Sequence, residues 1–114
     1  MEQHQHMYPM PSKDLARRRQ ELAPETEHAF QEFSQRVFSP GALDTKTKQL
    51  IAVAVAHVTQ CPYCIRGHAK GARREGATEQ EIMEAIWVAA EMRAGGAVAH
   101  SVIALEAMGA GANG

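Results

Sequence analysis

A chain of 114 residues is long enough for one domain, and its formal net charge of −1 supplies no field for nucleic acid or an anionic membrane. Hydrophobic residues make up 45% but aromatics only 5%, so Ala, Val, Ile and Leu must fill the interior, which suits closely packed helices better than a β-sandwich. The longest apolar run, Leu50 to Ala56, is too short to cross a bilayer, and the N-terminus lacks the charged-then-apolar layout of a signal peptide, so a cytoplasmic location is expected.

In chain order, residues 1–11 are polar, carry Pro9 and Pro11, and read as a flexible or partner-docked arm, in which His4 and His6 suit a terminal metal less well than solvated tail residues. Ser12 is placed to cap a first helix ending near Ala23, and Pro24 suits the first turn of a second. Phe30, Phe33 and Val37 then recur at helical spacing, and Ser39-Pro40-Gly41 is a break. Asp44 can cap a third helix that is apolar nearly all round from Leu50 to Val58, which places it at the centre of the fold or in a subunit interface. Cys61 caps a fourth helix with Pro62 in its first turn, running to about Glu75 with Gly76 as its left-handed end. Thr78 and Glu81 form a capping-box pattern for a helix whose buried stripe is Ile82, Ala85, Ile86 and Ala89. Gly95-Gly96 is expected to break or kink that pattern ahead of a last helix carrying Val98, Val102 and Leu105, and residues 109–114 read as a flexible tail. The expectation is an all-α domain over residues 12–108 with five to six helices. So short a chain, with an all-apolar helix and a small-residue segment at Gly95–Ala99, is expected to form a homo-oligomer.

The segment Cys61-Pro62-Tyr63-Cys64-Ile65-Arg66-Gly67-His68 concentrates the chemistry. Cysteines three residues apart can close a disulfide or share a metal, and His68 lies four residues beyond Cys64, on the same helical face. A helix N-terminus favours the thiolate, the form that attacks peroxides and disulfides. A sulfenic acid formed on one sulfur can condense with the other thiol. The Tyr63 hydroxyl can donate a hydrogen bond to substrate. A competing set, Cys61, Cys64 and His68 with His57 or His100, would satisfy zinc, and two inert thiols are a third reading. Arg66, Lys70, Arg73 and Arg74 form a basic stripe that suits either a solvated face or an acidic partner.

The motif, the apolar Leu50–Val58 helix before it, and Gly76-Ala77-Thr78 with the Glu81–Ala90 helix after it resemble the AhpD-like alkylhydroperoxidase branch of the carboxymuconolactone decarboxylase family over roughly residues 40–108. That resemblance implies an all-α fold, assembly into trimers or hexamers, and peroxidase or disulfide reductase activity without a cofactor or metal. The implied partners are a hydroperoxide or disulfide substrate and an external dithiol reductant, with neither nucleic acid nor membrane. It also implies that Cys64 attacks the peroxide, Cys61 resolves the sulfenic acid, and His68 relays protons. The decarboxylase members lack the cysteine pair, which argues against lactone decarboxylation here. One position departs from the family pattern: a glutamate stands twelve residues before the first motif cysteine in relatives, and here that residue is Gln49. An amide orients a histidine but takes up no proton near neutral pH. His57, Glu91 and His100 are the remaining relay candidates, with Tyr63 between the cysteines. The alternative function is a metal-binding or redox-sensing protein of the same fold without peroxidase turnover.

Overall fold

The computed structural model describes residues 7–110. Its secondary structure is five helices in the order α1 (Lys13–Leu22), α2 (Pro24–Phe38), α3 (Thr45–Thr59), α4 (Pro62–Arg74) and α5 (Glu79–Met108), with no strand among the described residues. The fold is therefore all-α. Most of the expected arm and tail, with His4 and His6, lies at residues 1–6 and 111–114, outside the described residues. The chain divides into two compact units, Met1–Pro40 and Gly41–Gly114.

The first unit is an α1–α2 hairpin. Ser12 caps α1, its hydroxyl accepting the Leu15 N–H at 3.1 Å, and Pro24 opens α2 at a position whose N–H has no helical partner anyway. The hairpin is closed by a two-pronged contact: the Arg19 guanidinium donates to both oxygens of Glu27 at 2.9 and 3.0 Å, and Gln31 donates to the same carboxylate at 2.9 Å. Arg19 first, and then Gln31, hold the Glu27 carboxyl below the ordinary carboxylate range. Phe30 and Phe33 stand with ring centroids 6.3 Å apart, and both are exposed. Neither α1 nor α2 contains a buried residue.

In the second unit α3 is central and packs along both α4 and α5. Its start is fixed by Asp44, whose carboxylate accepts the Thr47 N–H at 2.8 Å. That contact with Thr47 also holds the Asp44 carboxyl low. Val53 is fully buried against Ala72 and Ala77, with Leu50, Ile82 and Ile86 packed around them. Small residues at the crossing let the helix axes approach closely. The opposite face of α3 behaves otherwise: Ile51, Val55 and Val58 are exposed. Of the two places allowed for this helix by its composition, the centre of the fold accounts for one face only.

The α4–α5 connection uses Gly76 at φ +94°, and the Ala77 N–H returns to the Ala72 carbonyl at 2.9 Å. The capping box forms in both directions, the Glu81 N–H donating to the Thr78 hydroxyl at 3.0 Å and the Thr78 N–H donating to the Glu81 carboxylate at 2.8 Å. Lys46 of α3 reaches the same carboxylate at 2.9 Å, joining two helix N-termini. The Thr78 N–H, then Lys46, keep the Glu81 carboxyl below its ordinary range. Ile82, Ala85, Ile86 and Ala89 face inward as the stripe predicts, while Met83 and Trp87 are exposed.

One expectation is corrected. Gly95-Gly96 does not end a helix: α5 continues unbroken to Met108, so the described residues hold five helices and no separate last one. Glycine weakens a helix interior by about 1 kcal/mol against alanine, but it leaves the amide ladder intact. Neither a proline nor a capping side chain follows to stop propagation. Among the described residues no helix is long and apolar enough to cross a membrane.

Candidate active site

The site begins where α3 must end. Gln60 adopts the left-handed conformation, φ 57° and ψ 50°, and is the one non-glycine residue with positive φ among the described residues. For an L-residue this costs about 1–2 kcal/mol. It lets the Gln60 and Cys61 N–H groups both turn back to the Ala56 carbonyl, the latter at 3.1 Å, and so closes α3. Arg93 of α5 supports the same helix end, its guanidinium donating to the Val58 carbonyl at 3.1 Å. A cation at a helix C-terminus also opposes the negative end of the dipole.

The very next residue caps α4. Cys61 is extended, at φ −103° and ψ 102°, and its sulfur accepts the Cys64 N–H at 3.2 Å. Its carbonyl accepts the Ile65 N–H at 2.9 Å, and Pro62 occupies the first helical position. Cys61 and Cys64 are joined by a disulfide across this turn, with Cα atoms 5.2 Å apart. Both cysteines are half-buried, and Tyr63 between them is exposed.

His68 stands one turn beyond Cys64 on α4, half-buried. Its Nδ1 lies 2.9 Å from Oε1 of Gln49 on α3. An amide oxygen only accepts, so Nδ1 carries the proton and the neutral ring holds its lone pair on Nε2. Gln49 therefore does what the sequence allows an amide to do, which is to set a tautomer. The other candidates lie elsewhere. His57 directs Nδ1 to the Val53 carbonyl of its own helix at 2.8 Å, and lines a hollow of about 280 Å³ with Gln60, Ile86, Ala89, Ala90 and Arg93. Glu91 is exposed on α5, its carboxylate lying forward along the helix beside Gly95. His100 is exposed in the C-terminal half of α5. The structure thus pairs Cys61 with Cys64 and His68 with Gln49, with His68 one helical turn beyond Cys64 on α4. The described residues hold no group of three His, Cys, Asp or Glu side chains arranged as metal ligands.

Two contributors escape a reading of the sequence. Arg93 is a single cation among Ala, Met and Gly on α5, and nothing in its neighbours marks it as a helix clamp. Gly71, against whose backbone the Gln49 carboxamide lies, leaves a fainter trace, a glycine inside an otherwise good helix.

A five-helix fold with a dithiol at a helix start and a histidine one turn on defines a class, and comparison with known proteins agrees with it. The carboxymuconolactone decarboxylase family model matches residues 24–107, and the chain belongs to that family. A protein of Paracoccus denitrificans described as uncharacterised protein 4 of the cox locus is 74% identical over 77 residues, covering 68% of this chain and 69% of that protein. A crystal structure of a carboxymuconolactone decarboxylase family protein from Legionella pneumophila superposes with a TM-score of 0.65 at 39% identity, covering 82% of this chain and 83% of that one. A family protein from Thermotoga maritima with a suggested role in antioxidative response superposes with a TM-score of 0.54 at 29% identity, covering 74% and 96%.

Proposed function

We propose that this protein is a dithiol oxidoreductase that reduces hydroperoxides or disulfides through Cys61 and Cys64 and is recycled by an external dithiol. The observation that carries the reading is the Cys61–Cys64 disulfide at the first turn of α4, with His68 one turn on and held by Gln49.

The chemistry balances without a cofactor. The Cys64 thiolate attacks one peroxide oxygen, the O–O bond breaks, and the alkoxide leaves with a proton supplied through His68. The product is Cys64 sulfenic acid. The Cys61 thiolate then attacks that sulfur, hydroxide leaves as water, and the disulfide forms. One peroxide, two thiols and no other reactant yield one alcohol, one water and one disulfide. An external dithiol returns the pair to thiols by exchange. The helix N-terminus and the Cys64 N–H favour negative charge on the Cys61 sulfur, which also makes it the better leaving group during that exchange. Nε2 of His68 holds the lone pair that accepts the Cys64 proton and later returns it. With Gln49 in the relay position, the proton stops at His68 rather than passing to a carboxylate.

The working form in this reading is a homo-oligomer in the cytoplasm, a trimer or hexamer. What supports the assembly is a hollow of about 520 Å³ between α3 and α5, whose lining of Ala54, Val55, Val58, Val88, Met92 and their neighbours is apolar except for Arg93. The C-terminal half of α5 adds Val98, Val102, Ile103 and Leu105, all exposed. Apolar surface this continuous supports a contact with another copy of the chain.

Turnover of a hydroperoxide with a dithiol donor tests the function. Steady consumption of both in equal amounts is expected, and reduced protein that remains fully reduced with either a peroxide or a disulfide contradicts it. Light scattering at micromolar concentration tests the assembly, a stable monomer being the contrary result.

A further inference from the structure

Two glycines lie inside α4, and they differ in what surrounds them. A Cβ built on Gly67 meets nothing within 4 Å. A Cβ built on Gly71 would fall 2.8 Å from Oε1, 2.9 Å from Cδ and 3.1 Å from Nε2 of Gln49. The Gln49 carboxamide therefore lies on the bare backbone of α4 at Gly71, the space that any larger residue there would fill. From that position its oxygen accepts the Nδ1–H of His68 at 2.9 Å, three residues back along the same helix. Gly71 is itself buried, and Gln49 above it is half-buried. Glycine weakens a helix interior relative to alanine, so local propensity gives no reason for it here.

We propose that Gly71 is a positioning residue of the redox site: lacking a Cβ, it lets the Gln49 carboxamide lie against α4 and hold His68 in the Nδ1–H tautomer, which keeps the lone pair on Nε2 for proton exchange with the cysteines. The catalytic half of this statement rests on the dithiol oxidoreductase reading, while the tautomer half stands on geometry alone. The atoms that a Cβ would strike are the far end of a flexible side chain. Gly71→Ala therefore displaces the amide and leaves the fold in place. The expected signature is a protein of unchanged or raised melting temperature with an altered histidine.

The test is nitrogen-15 NMR of the histidine rings in the full chain, with His68 assigned by its loss in His68→Gln, alongside the rate at which the reduced protein reacts with a hydroperoxide. The parent should show Nδ1 protonated and Nε2 unprotonated at a pH where the ring is neutral. Gly71→Ala should lose that state and slow the thiol reaction, up to about 100-fold for a misplaced group of this kind. Gly67→Ala, which fills open space on the same helix, should keep both. Gln49→Ala should reproduce the Gly71→Ala result, and the double variant Gly71→Ala/Gln49→Ala should be no slower than Gln49→Ala alone. The proposal is overturned if Gly71→Ala retains the parent tautomer and rate, or if the double variant is slower than Gln49→Ala. Should Gly71→Ala fail to fold, the double variant must restore folding, because the crowded side chain is gone, and failure to do so also overturns it. A parent protein whose thiols stay reduced with both a hydroperoxide and a disulfide would end the oxidoreductase reading separately, with the tautomer measurements still deciding the role of Gly71.

Discussion

The chain contains two helical hairpins, α1–α2 and α3–α4, and they reach opposite outcomes from similar local signals. Each has a side-chain cap at its first helix and a proline at the first position of its second. The α1–α2 hairpin carries all three phenylalanines of the chain and buries none of its residues. The α3–α4 hairpin is built from Val, Ala and Gly and contains fully buried Val53 and Ala72. Bulk alone does not make an interior: close approach of helix axes does, and small residues at the crossing permit it. The same hairpin carries the Cys61–Cys64 pair at its turn, beside the buried residues of its unit. On α1–α2, by contrast, Phe30, Phe33 and Val37 are exposed.

Breaking the chemistry at the α3–α4 turn should give the largest effect. Cys64→Ser is expected to abolish hydroperoxide turnover, whereas Cys61→Ser should still allow a single oxidation, trapped as a sulfenic acid. A trapped sulfenate on Cys61 in Cys64→Ser, with none in Cys61→Ser, would reverse the two roles. The matching change at the other turn, Ala23→Ser, should leave turnover unaltered. His68→Ala comes next, with a loss of roughly 100-fold or more as expected for removal of a general base, and an unaltered pH–rate profile would remove His68 from the relay.

Packing separates the hairpins more gently. Val53→Ala deletes buried methyl groups and should cost about 1–3 kcal/mol in chemical denaturation. Phe30 is 63% exposed, so Phe30→Ala should cost less than about 1 kcal/mol within one subunit despite its larger side chain. A cost for Phe30→Ala equal to that of Val53→Ala, growing with protein concentration, would show that the α1–α2 face is covered in the assembled protein.

The smallest effects are ionic. Glu27 in the first unit and Glu81 in the second both have carboxyls held below the ordinary range, by Arg19 and by the Thr78 N–H respectively. A carboxyl lowered in the folded state stabilises the fold above its unfolded pKa of about 4.3, and that contribution fades as pH falls through the lower folded value. Glu27→Gln and Glu81→Gln should each lower the melting temperature slightly at pH 7. The difference from the parent should shrink below about pH 4. A gap that persists in acid would assign the effect to something other than the ionised carboxylates.

Most helix boundaries were legible because short-range chemistry sets them. Ser12, Asp44, Cys61 and Thr78 each accept a backbone N–H three residues on, and Gly76 takes its positive φ. Gly95-Gly96 misled because propensity measures a weakening, and continuous neighbours carried α5 through it. The pairing of His68 with Gln49 was suggested by the family resemblance, which places a relay residue twelve positions before the first motif cysteine. The support beneath it was not, since Gly71 acts by an absent atom whose importance depends on which side chain crosses above it. Arg93 escaped for the same reason: its partner, the Val58 carbonyl, lies 35 residues away in sequence.

The central claim is that Cys61 and Cys64 form one reversible two-electron couple. Its most direct test is to reduce the protein, remove the reductant, add one equivalent of hydroperoxide, and follow intact mass and free thiols with time. The account expects loss of two hydrogens per chain, disappearance of both thiols together with one peroxide consumed, and full recovery on adding a dithiol. Persistence of both thiols, or oxidation that ends only in crosslinks between chains, would contradict it.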